Sequence, residues 1–173
     1  MMVEGNTQHT EWIRGALERY ESPLLRYACR LTGNLEQARD VVQDSFVRLC
    51  RADRSKVEDH LAAWLFTVCR RRALEHFRKE GRMTALTEER MAAQQSREPD
   101  PAATAERSDD IRGLPKLLAV LPERQQEVVR LKFQNEFSYK QISEIMGLSV
   151  SNVGYLIHTA IHTLRKRAQE QHA

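Results

Sequence analysis

From His60 to Arg82 the chain reads HLAAWLFTVCRRRALEHFRKEGR. Six cations (Arg70, Arg71, Arg72, Arg78, Lys79 and Arg82) stand here against two acids, Glu75 and Glu80. Trp64, Phe66, His76 and Phe77 are interleaved with them. Guanidinium and ammonium groups hold phosphate, and flat rings stack on unpaired bases. Such an element suits a nucleic-acid strand. The same residues also suit a plainer arrangement, with Trp64 and Phe77 in a core and the arginines on a solvated face.

A second stretch, SYKQISEIMGLSVSNVGYLIHTAIHTLRKR from Ser138 to Arg167, reads as two helices around a tight break at Met146–Ser149. Ser138 and Gln141 have capping-box spacing, and Gly147 suits a left-handed C-terminal cap. Helical spacing predicts that Val150, Val153, Ile157, Ala160, Ile161 and Leu164 face inward. Ser151, Asn152, Tyr155, His158, Thr159, His162, Arg165 and Lys166 then face outward. Short and planar hydrogen-bonding groups come early on this face and cations late. That order suits a helix whose first half enters a major groove, with base edges read by Asn and Ser and phosphate held by the cations. The pattern is that of a helix-turn-helix; a helical hairpin with a solvated polar face would show the same spacing.

Catalytic chemistry finds less support. His158 and His162 are four apart but lack an intervening Glu and an evident third ligand, so no metal is expected. Cys29, Cys50 and Cys69 are widely spaced and odd in number, which argues against a disulfide framework or a zinc site. Cys29 and Cys69 lie in apolar helical patterns and are expected to be buried. No nucleophile motif or phosphate-binding glycine loop is present, and neither an enzyme nor a cofactor is expected. The formal net charge is +3, a weak bias toward a polyanion. No apolar run approaches a membrane span and the N-terminus has no signal-peptide core, so a cytoplasmic protein without membrane insertion is expected.

Gly and Pro are scarce, at 7 and 5, and helical periodicity dominates, which predicts an all-α chain. The first helical block spans 11–82. Ser22-Pro23 predicts a helix start, with a cap followed by proline at the first position. Asn34 starts the next helix after Thr32-Gly33, and that helix buries Ala38, Val41, Val42, Ser45, Phe46 and Leu49. A polar connection, 51–59, leads to a third helix facing inward with Leu61, Trp64, Leu65, Val68 and Phe77. The stretch 83–110 carries seven carboxylates against three arginines and two prolines, and reads as a flexible acidic linker with a short helix near 88–95. A second block, 111–170, holds a short helix, a helix starting at Leu121-Pro122 that buries Val128, Val129 and Leu131 or Phe133, and the helix-turn-helix.

DVVQDSFVRL (40–49) followed by WLFTVCRRRALEHFRK (64–79) resembles region 2 of bacterial RNA polymerase sigma factors. LPERQQEVVRLKF (121–133) with the helix-turn-helix is similar to region 4. Their order, with nothing substantial between, resembles the extracytoplasmic-function class. The resemblance implies that Asp40, Gln43, Asp44 and Arg48 face the clamp coiled coil of the β′ subunit. Lys56 and His60 would lie on the loop that captures a flipped base of the −10 element, and Arg70, Arg71, Arg72, His76, Arg78 and Lys79 along the melted strand. Ser149, Ser151, Asn152, Tyr155, His158, Thr159, Arg165 and Lys166 would read the −35 element. The helix around 124–132 would dock on the β flap, the linker would thread toward the active-site channel, and an anti-sigma factor is an expected partner. Arg71 and Glu75 stand where the family usually has Asn and Asp, and Gly154 where it usually has Lys. A helix-turn-helix regulator working without polymerase, or a helical protein-binding adaptor, are the alternatives.

Overall fold

The computed structural model describes residues 2–84 and 114–172, with side chains across 7–79 and 116–170. All regular structure among the described residues is helical. It falls into two compact units. Most of the acidic segment, from residue 85 on, lies outside the described residues, as does the short helix expected near 88–95.

The first unit packs α1 (Met2–Thr32), α2 (Leu35–Arg51) and α4 (Leu61–Thr84) against one another in all three pairings. Gly33, at φ 65°, ends α1, and its N–H donates to the Cys29 carbonyl at 2.8 Å. Asn34 then caps α2, its Oδ1 accepting from the Glu36 and Gln37 amides at 2.8 and 3.2 Å. The α2 stripe buries the six residues that its periodicity predicts: Ala38, Val41, Val42, Ser45, Phe46 and Leu49. Between α2 and α4 lie α3 (Arg54–Val57) and a 3-10 turn, Glu58–His60.

Three expectations for this unit are corrected. Ser22-Pro23 starts no helix, because α1 runs through Pro23 without a break. Proline there removes one backbone hydrogen bond and costs about 3 kcal/mol. Leu24, Tyr27 and Ala28 just beyond it are buried, so packing against α2 and α4 carries one helix through the local start signal. The inward stripe of α4 is Leu65, Phe66, Cys69 and Ala73; Leu61, Trp64 and Val68 are half-buried, and Phe77 is exposed. Phe66 is therefore a core residue, its ring centroid 5.0 Å from that of Tyr27, and no strand-stacking ring. Third, the 51–59 connection is no plain polar loop: Asp53 caps α3, and Val57 is buried beneath it. Of the cysteines expected to be buried, Cys69 is fully so and Cys29 half so; burial pushes the Cys69 thiol up to about 12.

The second unit holds α5 (Leu114–Leu118), α6 (Glu123–Phe133), α7 (Tyr139–Met146) and α8 (Val150–His172). Val128, Val129, Leu131, Ile142, Ile145, Val153, Ile157 and Ala160 form its core. The choice between Leu131 and Phe133 falls to Leu131, which is fully buried, while Phe133 is exposed. Val150 is also exposed, contrary to the inward position expected of it. It is the first residue of α8, ahead of the turn that packs on α7.

Candidate nucleic-acid interface

In the second unit, local hydrogen bonds fix both ends of α7 and the start of α8. Ser138 Oγ accepts from the Gln141 amide at 3.2 Å, and Gln141 Oε1 accepts from the Ser138 amide at 2.9 Å. This reciprocal box satisfies two amides that the first turn of α7 would leave open. At the other end Gly147 takes the left-handed conformation, φ 65° and ψ 36°. The Leu148 amide donates back to the Ser143 carbonyl at 3.1 Å. Ser149 Oγ then caps α8 by accepting from the Asn152 amide at 3.1 Å. Ser149 is thus committed to a structural bond on that oxygen, although its side chain stays at the surface.

With Val153, Ile157 and Ala160 buried, the opposite side of α8 is fixed. Ser151, Asn152, Tyr155, His158, His162, Arg165 and Lys166 are exposed, and Thr159 is half-buried. Tyr155 is the most exposed of the large hydrophobic side chains among the described residues, at 67%. The predicted residues therefore share one solvent-facing surface about two turns long, followed by cations. Gly154 lies beside it, facing the ring of Tyr139: a Cβ there would stand 3.6 Å from Tyr139 Cε2, an ordinary contact. The Lys132 ammonium sits 5.5 Å from the centroid of that same ring.

In the first unit, Asp40, Gln43 and Arg48 are exposed on α2, opposite Val41, Val42 and Phe46. Asp44 is half-buried, because Arg72 of α4 reaches it with an Nη2 to Oδ2 distance of 3.0 Å. Arg72 Nη1 also donates to Glu75 Oε2 at 2.8 Å. This hydrogen bond, with the charges of Arg72, Arg48 and Lys79, holds the Glu75 carboxyl below the usual glutamate range. The structure so joins two sets that the sequence kept apart. Asp44 belongs to the expected polymerase face and Arg72 to the expected DNA face, and they form one ion pair across α2 and α4.

The remaining cations of α4 do not all point the same way. Arg71, Arg78 and Lys79 are exposed, while Arg70 and His76 are half-buried. Arg71 and Arg78 follow half-buried Trp64 at intervals of seven, two helical turns each, so the three line one outward stripe. Trp64, expected in the core, is only half-buried, and its heptad spacing to Arg71 and Arg78 is the sequence signal for this placement. Lys56 and His60 are exposed on the α3 segment, where Lys56 Nζ lies 3.7 Å from Asp53 Oδ2. Two serine hydrogen bonds hold the Asp53 carboxyl below its ordinary range. Among the described residues no His, Cys, Asp and Glu cluster could hold a metal ion, and no helix is long and apolar enough to cross a membrane.

Comparison with known proteins identifies the family. Residues 16–83 match the family model for sigma-70 region 2, and residues 111–164 match that for sigma-70 region 4. The chain is 27% identical over 162 residues to the RNA polymerase sigma factor YlaC of Bacillus subtilis, covering 92% of this chain and 93% of that protein. It is 30% identical over 140 residues to the ECF RNA polymerase sigma factor EcfG of Rhodopseudomonas palustris, covering 80% of this chain and 75% of that protein. Its fold is similar to that of the sigma factor RpoE from Bartonella quintana, solved in complex with the anti-sigma factor NepR. The TM-score is 0.64 at 23% identity, over 90% of this chain and 96% of that one. Two region models in order and relatives aligned along most of their length place the chain in the sigma-70 family, extracytoplasmic-function class, whose members direct RNA polymerase to promoters for transcription initiation.

Proposed function

We propose that the two units divide promoter recognition between them. The second unit reads the −35 element as a duplex, with Ser151, Asn152, Tyr155, His158 and Thr159 toward the base edges and Arg165 and Lys166 toward phosphate. The first unit holds the −10 element once it is opened. Lys56 and His60 present the segment that receives an unpaired base, and Arg70, Arg71, His76, Arg78 and Lys79 lie along the strand. Unstacking a base costs a few kcal/mol, so an opened strand needs replacement contacts of this ionic and stacking kind. Arg72 serves mainly to tie α4 to α2, since its guanidinium is engaged by Asp44 and Glu75.

The observation that carries this reading is the exposed polar face of α8 on a helix-turn-helix fixed by its own caps. Asp40, Gln43, Asp44 and Arg48 form the surface that meets the β′ clamp, and α6, with Arg124 exposed at its start, docks on the β flap. The chain contributes no catalytic group; phosphodiester chemistry belongs to the polymerase. A regulated factor of this kind acts in the cytoplasm and takes an anti-sigma factor as a partner, in keeping with the complex formed by the structural relative. The test is transcription by purified core polymerase on a genomic template library, with and without the chain. The expected result is a distinct set of start sites sharing two spaced elements. An unchanged start-site pattern would overturn the reading.

A further inference from the structure

The family match begins at residue 16, yet α1 begins at Met2. The turns ahead of the match reach a distant part of the chain. Trp12 lies under the guanidinium of Arg54, with Cζ 5.5 Å from the ring centroid. His9 lies beside Trp12, ring centroids 5.6 Å apart, and its Nε2 is 3.4 Å from the Cys50 carbonyl. Arg54 is the first residue of α3 and also donates to Glu58 Oε1 at 2.6 Å. Its Nε is buried without a hydrogen-bond partner, and the electron-rich face of Trp12 is set against the guanidinium beside the Glu58 carboxylate. Arg54 and Glu58 bracket Lys56 and precede His60, the residues assigned above to the unpaired base.

We propose that Trp12, with His9, is a positioning residue for start-proximal recognition: it braces α3 through Arg54, and so fixes where Lys56 and His60 meet the extruded base. This rests on the assignment of that segment to the −10 element. Four observations converge on it. The segment is short, 4 residues of helix and a 3-10 turn, and a helix of that length does not hold its own shape in water. Val57 anchors it from below, being 5% exposed. Asp53 caps its start through the Ser55 amide at 3.1 Å. The Trp12–Arg54–Glu58 stack holds it from the side, and nothing in the stack requires nucleic acid to form.

The test uses the full chain bound to core polymerase, on four promoters that differ only at the unpaired −10 base. Trp12→Ala is expected to reduce discrimination among the four by about fivefold, the scale of one partly exposed cation–π contact. Polymerase association and dependence on the −35 sequence stay as they were. Trp12→Phe, which keeps an aromatic face, restores most of the discrimination. A Lys56→Ala and His60→Ala double variant is measured alongside. If the double variant loses discrimination and Trp12→Ala does not, the brace is refuted and the segment assignment stands. If the double variant keeps discrimination, the segment assignment fails and the brace with it. If Trp12→Ala lowers polymerase association in step with discrimination, or Trp12→Phe fails to restore it, the tryptophan acts on general packing and the proposal is overturned.

Discussion

The outer face of α8 and the α2–α3–α4 side of the first unit handle charge differently. On α8 the outward polar groups face solvent with Arg165 and Lys166, which no ion pair among the described residues engages; Arg167 alone of the late cations pairs, with Glu170 at 3.4 Å. In the first unit two cations are drawn into the protein's own structure, Arg72 between Asp44 and Glu75 and Arg54 between Trp12 and Glu58, while Arg71, Arg78 and Lys79 stay exposed. On the proposed division of promoter recognition, a duplex reader can keep its face open, because the groove supplies a formed surface with fixed donors and acceptors. A unit that must receive an unstacked strand gains from a surface shaped before the strand arrives. The difference predicts that mutations in the first unit act through shape as well as charge, whereas those on α8 act through contacts.

The largest effect comes from the packing under the first unit. Phe66 is 1% exposed against Tyr27, and Phe66→Ala should destabilise that unit by about 3–5 kcal/mol. Urea denaturation followed by tryptophan fluorescence, which reports Trp12 and Trp64, measures it. A loss below about 1 kcal/mol would show that the ring belongs to the binding surface, as its place among the arginines first suggested.

Next in size is Asn152→Ala. One lost base contact should cost about 1–3 kcal/mol, with relaxed preference at one −35 position. Lys166→Ala should instead weaken all sequences alike and reduce the salt slope by about 1. Competition binding of the polymerase-bound chain across −35 variants and salt concentrations separates the two. A uniform loss from Asn152→Ala would remove the residue from base reading.

Gly147 is the hinge of the open face. At φ 65° a side chain is strained although space is free around it, so Gly147→Ala should cost about 1–2 kcal/mol in the second unit. Thermal melting followed by circular dichroism checks this.

The smallest effect is the acid response of the paired face. Arg72 holds Glu75 ionised below the ordinary glutamate range, so this stabilisation is present above that range. It is lost as pH falls through the lowered folded-state value. Both partners are partly exposed, and the pair is worth about 1 kcal/mol or less. Glu75→Gln should remove that increment of acid sensitivity from the first unit, read as a flatter midpoint against pH. An unaltered slope would mean that the Arg72 pairs contribute nothing to its shape.

How far the sequence disclosed these features depends on whether local chemistry decides them. The α2 stripe, the Asn34 and Ser138 caps, and Gly147 are all local, and each is found where spacing puts it. The outer face of α8 follows from the same periodicity, apart from Val150 at its start. On α4 the run WLFTV is apolar around most of the helix, so a 3.6-residue period does not choose an inner side. Packing with α1 and α2 makes the choice, burying Leu65 and Phe66 and turning Trp64 toward the arginines. The Ser22-Pro23 start signal fails for a related reason, because burial beyond it outweighs one lost hydrogen bond and the helix runs through. The Arg72–Asp44 and Trp12–Arg54 pairs join residues far apart in the chain, and no spacing rule connects them.

The division of labour is tested most directly by permanganate reactivity of −10 thymines in promoter complexes formed by core polymerase with this chain. Arg71→Ala combined with Arg78→Ala should abolish the reactivity while leaving −35 protection in place. Asn152→Ala should lower complex occupancy and leave reactivity per bound complex unchanged. Thymines equally reactive with both arginines removed, or silenced per complex by the α8 substitution, would contradict the account.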